Sequence, residues 1–287
     1  MKEDIIMHVF VTGATGYVGS AVVRELISAG HTVTGLCRSE EKAAGLKTAG
    51  AEALYGTLDD LDILRSGAAA ADGVIHLAFT NDFSDFDGAL ALDLRAVEVM
   101  GAALEGSGKP FIITAHANGQ TVDQTVLAMA ERGIRTSIVM LAPSVHGQGD
   151  KGFVPMMINI ARAKGFAAYI GDGTNRWPAV HRLDAAVLYR LALESAPAGS
   201  RLLGAGDEGI SLREIAAVIG RQLNVPAVSI PPEEAAAHFG FLGTIASFDI
   251  TGLYNTTQAS LATRELLGWK PVQPGLIADL EEGHYFS

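Results

Sequence analysis

Three glycines, Gly13, Gly16 and Gly19, follow the apolar run Val9–Thr12 in a G-x-x-G-x-x-G spacing and open a helical pattern that continues through Ala29. Each suits a separate task at a phosphate site. Gly13 permits the tight turn out of a strand, Gly16 lets the backbone approach a pyrophosphate, and Gly19 lets the helix pack against the sheet with its N-terminus facing the phosphates. The chain holds 33 glycines, enough to produce such a spacing by chance. The strand before the triplet and the helix after it favour a dinucleotide cradle over a merely tight turn. Arg38 and Ser39 then follow the second apolar run, about twenty residues past the last glycine, where a site selective for NAD wants an acidic residue for the ribose 2′-hydroxyl. A guanidinium beside a hydroxyl suits a 2′-phosphate instead, so NADP is favoured and NAD is less expected. The alternative is a surface arginine ahead of the helix that carries Glu40, Glu41 and Lys42.

The elements that must position these residues alternate. Val9–Thr12, Thr32–Cys37, Ala51–Tyr55, Val74–Ala78, Phe111–Thr114 and Thr136–Leu141 read as strands, with helices over about 17–29, 39–48, 59–70, 86–106 and 121–132 between them. That alternation predicts right-handed crossovers and a doubly wound parallel sheet covered by helices on both faces, an α/β fold of Rossmann type. Beyond residue 143 the pattern loosens. Helices are predicted over Val154–Ala163, Asp184–Glu194, Ser211–Leu223 and Thr256–Leu267, a further one opens at Pro231-Pro232, and strands are predicted at Phe166–Ile170 and Arg201–Gly204.

Composition narrows the function class. The 287 residues carry a formal net charge of -11, which argues against a nucleic-acid or anionic-membrane partner, since either would select a basic patch. The single cysteine, Cys37, rules out an intramolecular disulfide and any multi-cysteine metal site, and fits a reducing cytoplasm. No histidine cluster has metal-ligand spacing, so no metal is expected. No leader-like segment precedes the first strand and no apolar run reaches the roughly eighteen residues of a membrane span.

Six segments in order resemble the short-chain dehydrogenase/reductase superfamily, in its extended or atypical branch of NAD(P)-dependent epimerase/dehydratase type. They are Thr12–Gly19, the turn Gly56-Thr57-Leu58-Asp59, the strand Val74–Ala78, Pro143-Ser-Val-His146-Gly147, Trp177–Asp184, and Leu266-Leu-Gly268-Trp269-Lys-Pro271. The resemblance implies a dinucleotide-binding core over 1–145, joined by later returning segments, and a smaller substrate-binding α/β lobe mainly over 146–287. It also implies a cofactor site. Gly13, Thr15, Gly16, Tyr17, Val18 and Gly19 lie at the phosphates, Thr57 and Leu58 beside the adenine, Leu77, Ala78 and Phe79 along the adenosine ribose and pyrophosphate, and Pro143 to Val145 at the nicotinamide. Thr57 stands where the family carries an Asp.

The superfamily's usual acid-base pair is Tyr-x-x-x-Lys, in which the lysine lowers the phenol's pKa so that it can pass a proton to the carbonyl. None of the six tyrosines is followed four residues later by a lysine, and the expected positions fall near Asn118 and Val122. Two other residues are candidates for catalysis. Thr114 stands in the position of the family's catalytic Ser, and His146 replaces the Tyr of a turn close to substrate; Thr114 could equally serve only to end a strand, and a lone loop histidine such as His146 could be structural. His116 and Lys151 are weaker candidates that an exposed loop would explain, Arg176 could meet an anionic substrate group or be a rim arginine near Asp172, His76 reads as a buried core histidine, and Asp184 as the cap of the helix it precedes. The function implied is an NADP-dependent oxidoreductase moving hydride between NADPH and a small ketone or aldehyde, or the alcohol in reverse, in a monomer or homodimer. The alternative is an NADP(H)-binding sensor or regulatory protein with weak catalysis.

Overall fold

The computed structural model describes residues 6–80, 85–116, 119–253 and 255–286. Its first half runs β1 (His8–Thr12), α1 (Tyr17–Ser28), β2 (Thr32–Cys37), α2 (Glu40–Thr48), β3 (Glu52–Tyr55), α3 (Leu61–Ala70), β4 (Gly73–His76), α4 (Phe86–Leu104), β5 (Pro110–Thr114), α5 (Gln120–Ala128), a 3-10 turn (Met129–Arg132) and β6 (Arg135–Leu141). The second half adds β7 (Ser144–His146), α6 (Phe153–Lys164), β8 (Ala167–Ile170), β9 (Arg176–His181), α7 (Arg182–Ser195), β10 (Ser200–Gly204), β11 (Asp207–Ser211), α8 (Leu212–Leu223) and β12 (Ala227–Ile230). Short helices α9 (Ala235–Phe239), α10 (Phe241–Ala246) and α11 (Ile250–Leu253) precede α12 (Thr256–Leu267) and α13 (Leu276–Glu281). The chain divides into two compact units, Met1–Met140 with Ala185–Leu202, and Leu141–Asp184 with Leu203–Ser287.

The first unit is built on a seven-stranded sheet in the order β10-β6-β5-β4-β1-β2-β3. The six strands from β6 to β3 pair in parallel, as the predicted crossovers require. Alternate residues point to opposite faces. Phe10, Val74, Phe111 and Ile113 join a core with Leu64, Val97, Met100 and Leu104 of α3 and α4, while Val9, Val11, Ile75 and Ile112 are fully buried without joining that cluster. Chain direction across the sheet reverses between β1 and β4, so the crevice beyond the C-terminal ends of these two strands is the topological switch point. Arg135 fixes the end of α7 beneath β6, its guanidinium donating to the carbonyls of Ala196 at 2.9 Å and Leu193 at 2.5 Å.

The second unit holds a three-stranded sheet, β11-β9-β7, and a parallel pair, β12-β8. Its core joins Val154 and Ile158 of α6, Trp177 of β9, and Ile215 and Ile219 of α8. A capping box starts α8, in which the Ser211 hydroxyl accepts from Glu214 N while the Glu214 carboxylate accepts from Ser211 N at 3.0 Å. The buried Trp269 indole donates to Asp184 O, and the Asp184 carboxylate accepts from Val272 N and Gln273 N, each at 3.0 Å.

Several expectations need correction. β4 ends at His76 rather than Ala78, because the chain at Leu77 and Ala78 crosses so close over the Gly13 turn that a Cβ on Gly13 would lie 2.6 Å from Ala78 N. Asp184 does not cap the helix it was expected to start. The helix begins at Arg182, and the carboxylate serves backbone amides 88 and 89 residues further on. β7, β9, β11 and β12 are absent from the sequence reading. Pro178 hides β9, since a proline argues against an inner strand. It is accommodated because the ladder to β7 starts only at Ala179 and the ladder to β11 shifts register between Asp207 and Ile210.

Candidate functional site

At the switch point, Gly13 takes φ +66°, and a Cβ on Gly19 would come within 2.0 Å of Gly13 O. Gly13 is thus required both by its left-handed backbone and by the crossing chain at Ala78, and Gly19 by the first turn of α1 closing on Gly13. Gly16 is exposed and extended, at φ -73° and ψ 176°; it precedes α1 without a side-chain cap, and the first turn carries no acidic residue. Thr15, Tyr17 and Val18 flank it, half-buried. A glycine-lined strand-to-helix turn without a side-chain cap fits the phosphates of a dinucleotide, held by backbone N–H groups and favoured by the helix dipole.

The residues expected around the rest of the cofactor divide by environment. Arg38, immediately beyond β2, is exposed and has no hydrogen-bond or ion-pair partner among the described residues. Ser39 is the N-cap of α2, its hydroxyl accepting from Lys42 N at 3.4 Å, so part of its hydrogen-bonding capacity is spent locally. Thr57 gives its hydroxyl proton to Asp60 at 2.9 Å, and the same carboxylate oxygen accepts Thr57 N at 2.7 Å. Leu58 packs into the core with Phe10 and Leu36. Leu77, Ala78 and Phe79 are half-buried along the end of β4.

Four polar side chains converge at the C-terminal ends of β1, β4 and β5. Thr12 Oγ1 lies 2.6 Å from His76 Nδ1 and accepts from Ala78 N at 3.3 Å; His76 Nε2 lies 2.9 Å from Asp93 Oδ1. The other Asp93 oxygen stands 3.9 Å from His116 Nε2. The side chains of His76 and Asp93 are each 2% exposed and that of His116 is 17% exposed. With His76 neutral and the Asp93 carboxylate able only to accept, His76 Nδ1 accepts the Thr12 hydroxyl proton. That leaves His76 Nε2–H to donate to Asp93, and the core-histidine reading of His76 is satisfied in full. His116 is not the exposed loop residue expected. Its ring stacks on Phe79 at 3.9 Å between centroids, and Gly119 N donates to its carbonyl at 3.0 Å. Burial holds its imidazole below the ordinary histidine range, against the upward pull of Asp93, with His76 pulling down and Asp123 up.

Thr114 does not bond the local backbone through its hydroxyl. That group meets the phenol of Tyr189 on α7 at 2.7 Å, and burial pushes the Tyr189 phenol well above its ordinary range. In the second unit His146 is 1% exposed, with Nδ1 2.8 Å from Asp279 Oδ2 and its ring edge-on to His181 at 5.3 Å. A buried histidine so held ties β7 to α13. Pro143 and Val145 flank it, half-buried. Tyr285 OH accepts from Gly147 N at 2.9 Å and donates to Asp150 at 3.1 Å. Lys151 is exposed, and the Arg176 guanidinium neighbours Glu214 while the Arg176 backbone N–H donates to Asp249. Although no metal was expected, Asp279, Glu282 and His284 bring ligand atoms within 4.8 Å of one another; one Asp279 oxygen of that group already receives His146. Among the described residues no helix is long and apolar enough to cross a membrane.

Asp93, Tyr189 and Asp279 escaped the sequence reading. Asp93 did leave a trace, for it shares a helical stripe with Ala89, Ala96, Val97 and Met100, all buried, and a carboxylate on such a face needs a partner. Asn118, where the usual tyrosine would stand, lies outside the described residues, and Val122 is a buried core residue.

Comparison with known proteins agrees with this architecture. The model of the NAD dependent epimerase/dehydratase family matches residues 9–99. An uncharacterized protein of Schizosaccharomyces pombe is 47% identical across 98% of this chain and 100% of its own length. A 4-hydroxy-2-methyl-3-oxo-4-farnesyl-3,4-dihydroquinoline-1-oxide ketoreductase of Stigmatella aurantiaca is 26% identical across 82% of this chain and 80% of its own. The crystal structure of UDP-glucose 4-epimerase from Thermotoga maritima superposes with a TM-score of 0.72 at 18% identity, covering 98% of each chain.

Proposed function

The chain belongs to the NAD dependent epimerase/dehydratase family, within the short-chain dehydrogenase/reductase superfamily, and from that premise we propose that it is an NADP-dependent carbonyl reductase. The bound nicotinamide would supply or accept hydride, and the substrate would be a small ketone or aldehyde, or the corresponding alcohol in reverse. The 26% identity to a ketoreductase over most of both chains supports this direction of chemistry. The observation that carries the cofactor choice is Arg38, exposed just past β2 with no carboxylate on it among the described residues, where an NAD site would hold an acidic residue. On this reading the amides at the start of α1 hold the pyrophosphate, Arg38 and Ser39 the 2′-phosphate, and Phe79 and its neighbours the adenosine side.

A second reading has one specific observation behind it. The Thr114 hydroxyl is already engaged by Tyr189, and the sequence has no Tyr-x-x-x-Lys, which suits an NADP(H)-binding sensor with little turnover. Titrating the protein with NADPH and NADH, then following NADPH oxidation with a panel of ketones and aldehydes, separates the two. Steady oxidation supports the reductase. Tight NADPH binding with no oxidation across the panel would establish the sensor, and equal affinity for NADH would remove the role of Arg38.

A further inference from the structure

The geometry points to His116 as the proton donor of the proposed reaction, with Asp93, His76 and Thr12 as positioning residues; this rests on the reductase reading above. Asp93 is one carboxylate set between two imidazoles, with Oδ1 2.9 Å from His76 and Oδ2 3.9 Å from His116. Its charge favours one imidazolium. His76 is held at both ring nitrogens, Nδ1 by the Thr12 hydroxyl and Nε2 by Asp93, and its side chain is 2% exposed. His116 reaches solvent, 17% exposed, and its Nδ1 has no hydrogen-bond partner among the described residues. One face of its ring lies on Phe79, a residue of the expected cofactor edge, and it stands two positions beyond Thr114 at the end of β5. The groups facing His116 from the surrounding elements are Asp93 on α4, His76 on β4 and Asp123 on α5.

The step balances without the missing tyrosine. Hydride from NADPH forms the new C–H bond at the carbonyl carbon, the C=O π pair moves onto oxygen, and that oxygen takes the Nδ1 proton of protonated His116. Neutral His116 keeps its Nε2 proton toward the Asp93 carboxylate, and water reloads Nδ1. In reverse, the Nδ1 lone pair takes the alcohol proton as hydride leaves for NADP+. Asp93 makes no contact with substrate; it sets the tautomer and the proton affinity of His116.

The test uses the full chain, with the variant His116→Gln, which leaves the Thr12–His76–Asp93 hydrogen bonds in place, and with Asp93→Asn. NADPH affinity is measured by fluorescence, turnover from about pH 5 to about pH 8, and the His116 ring by histidine NMR with and without NADP+. The expected result is a fall in kcat on the order of 100-fold in His116→Gln with NADPH affinity within about twofold. Asp93→Asn should move the alkaline limb of the carbonyl-reduction profile to lower pH, and should add little to the loss when combined with His116→Gln. The His116 ring signals should shift on adding NADP+. Unchanged turnover in His116→Gln, with an active parent, overturns this assignment and leaves the reductase standing. A parent that binds NADPH and reduces no carbonyl overturns both. Ring signals of His116 indifferent to NADP+ overturn the assignment without reference to turnover.

Discussion

Arg38 and Thr114 illustrate two ways in which a side chain's value depends on what surrounds it. Arg38 is exposed and has no partner among the described residues, so its removal disturbs no bond found there. Arg38→Ala should therefore weaken NADPH by about 10-fold or more, the worth of a charge-assisted hydrogen bond, and leave NADH nearly unchanged. Titration of both cofactors against both proteins measures this; equal losses would remove the 2′-phosphate role. Thr114 is the opposite case, since its hydroxyl is the partner of a fully buried phenol. Thr114→Val leaves the Tyr189 hydroxyl without a bond and should destabilise the fold by about 1–3 kcal/mol. Tyr189→Phe leaves only a half-buried hydroxyl that water can reach, and should cost less. Urea denaturation of both variants and the double variant gives the coupling; equal and additive costs would mean that the bond contributes nothing.

At the scale of elements, three histidines lie where packing has taken water from them: His116 after β5, His181 at the end of β9 and His238 on α9. Burial is the main cause in each and holds each imidazole below the ordinary histidine range. With folded values below unfolded ones, the unfolded chain takes up protons first as pH falls. Their contribution is complete above about pH 6.5 and is lost as pH drops toward the folded values. Urea midpoints should accordingly be lower at about pH 5.5 than at about pH 7.5, and His116→Gln should flatten part of that slope. A pH-independent midpoint across that range would mean that these rings titrate alike in both states. Acidic residues held low by hydrogen bonds, Glu214 by Ser211 and Asp172 by Thr174, add their own losses only at lower pH, below the ordinary carboxylate range. The elements also show what a linear reading can and cannot reach. The alternating strands and helices through β6, and the three glycines, are written in local periodicity and spacing, and so are legible. The Asp93 network is half legible: an acid on an apolar stripe announces a partner, but not which one. β9 was hidden because its proline is tolerated only by a register shift in a neighbouring strand, a fact about Asp207–Ile210 and not about Pro178. His146 was visible as a residue and opaque as a role, because its partner, Asp279, stands 133 positions away.

Across the whole molecule, neither compact unit is one uninterrupted stretch of chain, for Ala185–Leu202 belongs with Met1–Met140. A fragment ending at residue 145 would lack Tyr189 and the α7 carbonyls that receive Arg135, leaving two polar groups without their partners in the intact chain. Such a fragment should resist refolding and be digested rapidly in limited proteolysis, whereas a fragment as protected as the full chain would show that the returning segment is dispensable. The other unit closes even later in the sequence. Gly147 N awaits Tyr285, His146 awaits Asp279, and Asp184 awaits Val272 and Gln273. On the ribosome these acceptors and donors leave the exit tunnel long before their partners are translated. Completion of the second unit thus waits on residues 272–285, and a nascent chain that had emerged only through Asp184 would carry Gly147 and Asp150 still missing the Tyr285 hydroxyl that joins them.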